Sequence, residues 1–361
     1  RRRNRWPAIG HLGRGGDPFA RPEGHSALVP RLLAEGAGTA PGSSDTAPDD
    51  LILPFVIESS GIRGRLLRLG APIDTILRRP DYPDPVATLL GELAALGTIL
   101  ASTLKYDGVF TIQAQGSGPI RTMVADVTSG GDIRGYAGYD AEAVKALEAE
   151  APLPPFETGP WLGGGHLAFT VDQGEDTQRY QGIVELAGPR LADCLLHYFR
   201  QSQQVNAGIL VATARDPESG AWRAGSLLIE RIPKSAQELA DSVSEEDWRR
   251  ALILMASCTE AELLDPKLPG EHLLYRLFHE DGVRVFETRD LRVGCRCTRE
   301  RVANILRSFP RGEVEDLKVD GEVVMNCEFC NHAFRFDSLE LDRIYDCLLY
   351  TSDAADDAMN V

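Results

Sequence analysis

Four of the chain's seven cysteines lie between Cys295 and Cys330, in two close pairs. Cys295 and Cys297 flank a single arginine in "GCRC", and Cys327 and Cys330 bracket two residues in "CEFC", with 29 residues between the pairs. Zinc takes four soft donors at the corners of a tetrahedron, and two close pairs brought together by a fold supply them. The unequal spacing suggests a second chemistry. A disulfide across one residue closes a small ring at the cost of backbone distortion, which makes it strained and readily reduced. Three readings therefore stand side by side: a structural zinc site, a catalytic dithiol, or a switch that uses both chemistries in turn. A thioredoxin-type dithiol sits where a strand enters a helix. Cys330 runs instead into "NHAFRF", which alternates like a strand.

Neighbouring residues have simpler readings. Arg296, Arg299 and Arg301 would favour thiolates if they pointed inward, and otherwise form a solvated helix face. His332 adjoins the second pair, but four thiols already complete a site, so it is expected to stand beside the site. Cys194 and Cys258 lie in apolar stretches and are expected to be small core residues. His166 and His197 have no serine or cysteine partner pattern, so no catalytic residue is assigned and the chain is not read as an enzyme. "GPWLGGGHLAF" lacks the Lys-Ser/Thr of a phosphate cradle and reads as a loop entering a strand.

The pairs need elements to position them. "TRERVANILRSF" places Val302, Ile305, Leu306 and Phe309 on one helical stripe. "LKVDGEVVMNCEFCNHAFRF" reads as a hairpin with Asp320-Gly321 at its turn and the Cys-x-x-Cys knuckle at the next bend. So small a unit has little core, and a structural thiolate metal would contribute on the order of 10 kcal/mol or more.

Upstream, Leu51 to Glu58 and Ile62 to Leu69 flank Ser-Ser-Gly and predict a hairpin. A short helix (73–78), three prolines and a long apolar helix (Val86 to about Leu104) follow. An alternating meander, an amphipathic helix around Leu191, Leu195, Tyr198 and Phe199, and further strands complete an α+β domain. Beyond it, Ser244 with Asp247 and Thr259 with Glu262 mark two helix starts, "GEHLLYRLFHED" a third helix, and "VRVFETRDLRV" a strand.

With 361 residues, 43% hydrophobic and 25% charged, the composition is that of a globular protein of two or three domains. A net charge of -16 argues against a nucleic-acid partner. The longest apolar stretch, Ala87 to Ser102, carries Glu92 and falls short of the roughly 20 residues of a membrane span, so no membrane partner is expected. Paired cysteines without a chain-wide framework suit a reducing cytoplasm.

Several segments together carry a resemblance: "IRGRLLRLG", "LLGELAALGTILASTLKYDGVFTIQAQGSGPIRTMVADV", "RYQGIVELAG", "YFRQSQQ", and "GCRC" followed by "CEFCN". From about Asp49 to Tyr345 the chain resembles the heat shock protein 33 family of redox-regulated holdase chaperones. The resemblance implies an α+β fold with an N-terminal domain of antiparallel sheets and helices, a helical linker and a small C-terminal zinc-binding domain. It implies one Zn2+ per chain, held by Cys295, Cys297, Cys327 and Cys330 in a reduced, inactive state. Oxidation by peroxide or hypochlorous acid, with unfolding stress, would then pair Cys295 with Cys297 and Cys327 with Cys330 and release the zinc. The linker would unfold and expose apolar surface that includes Trp248, Leu252, Leu273, Leu274, Leu277 and Phe278. Unfolded or partly folded client proteins would bind there without ATP, and the active form would be a homodimer. The expected organisation is residues 1–48 as a disordered or non-native extension and 49–233 as the substrate-binding and dimerisation domain. Residues 234–290 are expected to be the metastable linker, 291–346 the zinc switch and 347–361 a non-native tail.

Overall fold

The computed structural model describes residues 49–150, 153–173, 180–203, 205–231 and 244–346. The expected terminal extensions, Cys347 and the boundary at 233/234 lie outside the described residues. The chain divides into two compact units, one ending at Val293 and one beginning at Gly294.

The first unit opens with the hairpin of β1 (Leu51–Ile57) and β2 (Ile62–Leu69), then α1 (Ala71–Arg78) and α2 (Asp84–Ala101). A meander of β3 (Val109–Gly116), β4 (Ile120–Thr128) and β5 (Asp132–Tyr139) precedes α3 (Ala141–Glu150) and α4 (Thr158–Leu162). Next come β6 (Gly165–Asp172), β7 (Tyr180–Glu185), α5 (Leu191–Tyr198), β8 (Asn206–Arg215) and β9 (Trp222–Arg231). Three helices follow, α6 (Glu245–Ala256), α7 (Glu260–Leu264) and α8 (Gly270–Phe278). Short strands β10 (Val283–Val285), β11 (Arg289–Asp290) and β12 (Arg292–Val293) end the unit.

These strands make two sheets. The first runs β10-β1-β2-β9-β8, with β11 also on β1; the second runs β12-β5-β4-β3-β6-β7. Every described pairing is antiparallel except β12 on β5.

Helix α2 packs against strands of both sheets. It is buried around its whole circumference and mostly apolar, with Thr88, Glu92 and Thr98 its buried polar residues, the pattern of a helix with no solvent face. By length and composition it could cross a membrane, but 94% of it is buried inside the fold. It ends at Ala101, three residues before the predicted Leu104. The Ser102 and Thr103 hydroxyls donate to the carbonyls of Ile99 and Leu100 at 2.5 and 2.8 Å, satisfying groups that a further turn would have used.

The first sheet is buried on both sides. Side chains alternate along a strand, so Ile52, Leu67, Leu69 and Leu228 turn toward α2. Leu51, Leu53, Phe55, Leu66, Leu227 and Ile229 turn toward α6–α8. Both predicted helix starts form capping boxes, Ser244 with Asp247 and Thr259 with Glu262. Cys194 is buried, and Cys258 is partly buried against the second cluster. "GPWLGGGHLAF" contains the short helix α4 before β6 begins.

The second unit holds α9 (Arg299–Arg307), α10 (Arg311–Glu315), the strands β13 (Val323–Asn326) and β14 (Ala333–Phe336), and α11 (Ser338–Asp346). Its core is Val302, Leu306, Val314, Val323, Phe334, Phe336, Leu341 and Ile344. The predicted stripe is only half buried: Ile305 and Phe309 are 50% and 49% exposed. Helix α9 stops at Arg307 under the Ser308 cap, so Phe309 lies past its last turn, and the core touches only the Val302–Leu306 edge. The Asp320-Gly321 turn forms, with positive φ at both residues (54° and 85°), as a two-residue type I′ loop needs. Val319 and Glu322 exchange N–H···O bonds of 2.9 and 3.1 Å across it.

Candidate metal centre

The Cys-x-x-Cys knuckle is the loop between β13 and β14, whose pairing ends at Asn326 opposite Ala333. Cys327 N–H donates to the His332 carbonyl at 3.0 Å, and Asn331 N–H donates to the Cys327 carbonyl at 2.8 Å. Asn331 takes the left-handed backbone (φ 56°) that this tight return demands and that asparagine tolerates. The other pair sits just before α9, where the Thr298 hydroxyl accepts from Arg301 N–H at 3.2 Å. A helix start and a hairpin end thus hold the two pairs.

All four sulfurs lie within 4.8 Å of one another. Cys295 Sγ is 3.6 Å from Cys327 Sγ, and Cys297 Sγ is 3.4 Å from Cys330 Sγ. Four thiolates around one zinc at 2.3 Å would stand about 3.8 Å apart. The spacing therefore suits a tetrahedral thiolate site, and none of the four cysteines is in a disulfide.

The electrostatics agree with that donor set. Burial opposes ionisation of Cys295, but the backbone N–H of Cys297 and the thiols of Cys297, Cys330 and Cys327 donate to it and bring it down to about 7. Burial first, and then the neighbouring sulfurs, push Cys297 far up. Burial also raises Cys330. Cys295 ionises readily while Cys297 and Cys330 resist following it, which is how crowded like charges behave until a cation neutralises them.

Two of the nearby arginines are engaged with other groups. Arg299 donates to the Arg335 carbonyl and the Glu340 carboxylate, both at 2.6 Å, and lies over the Phe336 ring. Arg301 donates to the Arg296 carbonyl at 2.7 Å. The His332 ring packs edge-on against Phe334, 4.5 Å between centroids, and is not among the clustered ligand atoms. The residues after Cys330 form a strand, so the knuckle lacks the helix start that activates a thioredoxin-type thiol.

The residues expected to meet clients lie in the first unit, packed inward. Trp248, Leu273, Leu274, Leu277 and Phe278 are buried, and Leu252 is partly buried against them. Phe278 stacks on Phe55 of β1 at 5.7 Å. They cover one face of the first sheet. Two buried arginines on that face, Arg68 and Arg223, escaped the sequence reading. Nothing in sequence set them apart from Arg63 and Arg65 of β2 or Arg231 of β9.

Comparison with known proteins agrees over nearly the whole described chain. The Hsp33 protein family model matches residues 50–337. The 33 kDa chaperonin of Caulobacter vibrioides is 40% identical over 302 residues, 81% of this chain and 98% of that protein. The 33 kDa chaperonin of Pseudomonas fluorescens is 35% identical over 309 residues, 84% of this chain and 95% of that protein. A crystal structure of the 33 kDa chaperonin from Thermotoga maritima shares the fold, with a TM-score of 0.68 at 22% identity over 85% of this chain and 100% of that one. With that match spanning both the two-sheet unit and the four-cysteine unit, the chain belongs to the Hsp33 family.

Proposed function

We propose that this chain is a redox-regulated, ATP-independent holdase that binds unfolding proteins under oxidative stress in the cytoplasm. Chaperone function follows from family membership. The observation that carries the switch is the group of four cysteine sulfurs within 4.8 Å, in a unit whose core is eight buried side chains. In the reduced state Cys295, Cys297, Cys327 and Cys330 hold Zn2+, which when bound ties the two knuckles together. Formation of each disulfide takes two electrons from a thiolate pair, and one hydrogen peroxide accepts them together with two protons from solvent and leaves as two waters. Pairing Cys295 with Cys297 and Cys327 with Cys330 leaves no thiolate for the metal, and the unit loses its main stabiliser. The segment carrying Trp248, Leu252, Leu273, Leu274, Leu277 and Phe278 then leaves the first sheet, and clients bind the apolar surface uncovered. The active form is a homodimer.

The test follows zinc release and suppression of client aggregation together, before and after peroxide at raised temperature. The expected result is loss of about one zinc per chain, with protection appearing only in the oxidised protein. Equal protection by the reduced, zinc-loaded form overturns the switch. Peptide mapping that links Cys295 to Cys327 overturns the pairing.

A further inference from the structure

Helix α7 is five residues long, too short to persist alone, and its last carbonyls turn toward the first sheet rather than toward water. Two buried guanidiniums meet them there. Arg68, at the end of β2 and 1% exposed, donates Nη1 to the carbonyls of Asp265 (2.8 Å) and Leu268. Its Nη2 donates to the Glu262 carbonyl at 3.0 Å. Arg223 of β9 donates Nε to the Leu264 carbonyl at 2.7 Å and Nη2 to Asp49.

Four main-chain carbonyls between residues 262 and 268 thus end on two side chains of the sheet. Two of them, at Glu262 and Leu264, are among the carbonyls a helix leaves unpaired at its C-terminus, where the helix dipole also favours a cation. Gly225 of β9 lets the helix come this close, since a Cβ there would stand 2.9 Å from Leu263 Cγ. Among the described residues, other polar ties of this segment include ion pairs with solvent-exposed partners, such as Arg250 with Glu280 and Asp281 and Lys267 with Glu218. Such pairs are screened and weak.

We propose that Arg68 and Arg223 form a latch that holds residues 262–268 on the sheet by their main-chain carbonyls and so sets how readily the 244–278 segment lets go. Lifting the segment part-way strands a guanidinium in apolar surroundings without its acceptors, which is costlier than either end state. The latch therefore makes release all-or-none. It grips backbone, so it acts whatever side chains the segment carries. Its role in activation rests on the chaperone reading above; the latch itself does not.

The test is hydrogen exchange by mass spectrometry on the full-length, reduced protein. Arg68→Met keeps the bulk of the side chain and removes the donors. Exchange across 244–278 should rise at least about tenfold, since a bond from a charged donor is worth a decade or more in an equilibrium constant. The α2 and β3–β5 peptides should keep their wild-type rates. Arg68→Lys, which keeps the charge but not the fork, should fall between, and it serves if the methionine variant does not fold. Arg250→Ala, which removes only exposed pairs, should leave exchange unchanged. Rates within about twofold of wild type across 244–278 in both Arg68 variants overturn the latch, as does an equal rise in α2. A loosened segment with no earlier onset of client protection upholds the latch and counts against the chaperone reading.

Discussion

Glu92 offers a sharp test of how the first unit is built. It sits in the middle of α2, 2% exposed, and among the described residues its Oε2 has no hydrogen-bond partner. Burial is the dominant influence and raises its pKa from 4.5 to about 8. Arg190 pulls it down, while Glu260 and Asp193 push it up. The folded chain therefore keeps this proton until about pH 8, whereas the unfolded chain releases it near 4.5. Between those values the unfolded state binds fewer protons, so stability falls as pH rises. Each tenfold change in proton affinity is about 1.4 kcal/mol, which makes the loss on the order of 3 kcal/mol between about pH 5 and pH 8. Glu92→Gln is neutral throughout and removes this slope. Its amide needs donors and acceptors of its own, so the pH dependence of the difference is diagnostic and the absolute stability is not. The assay is urea unfolding followed by fluorescence, with Trp161 and Trp222 buried in the same core as α2. The wild-type minus variant difference should change by about 3 kcal/mol across that range. A difference flat within about 0.5 kcal/mol would show that water or a rearranged partner solvates the carboxylate, and the account of α2 as dry on all sides would be wrong.

Cys330→Ser removes one of four donors, so zinc content by mass spectrometry should fall well below one per chain and protease should cut the unit that begins at Gly294; retained zinc would mean the fourth ligand lies elsewhere. Burial raises Cys258 to about 11, leaving about one thiolate in a thousand at pH 8, so iodoacetamide should label it on the order of 100-fold more slowly in the native chain than in urea. Labelling at similar rates in the two states would show that the residues around Cys258 open freely.

The hairpin of β1 and β2, the capped starts of α6 and α7 and the Asp320-Gly321 turn were legible because each depends on a few adjacent residues with one favoured backbone solution. The Val302 stripe was half legible, since periodicity shows that a helix has an apolar edge but not how much of it a neighbour will cover. The end of α2 was missed by three residues because hydroxyls at Ser102 and Thr103 competed for its last carbonyls.

The sequence alone determined the donor chemistry: four thiols in two pairs at that spacing can hold a metal wherever the fold brings them together. Only the tertiary structure decided that their sulfurs converge within 4.8 Å, because 29 intervening residues must first fold into a helix and a hairpin. It alone decided that Arg68 and Arg223 are buried on the backbone of a segment nearly 200 residues away in the case of Arg68 and about 40 in that of Arg223. In sequence these arginines are two among several charged residues in their strands. Their partners are main-chain carbonyls, which every residue carries and no sequence pattern marks.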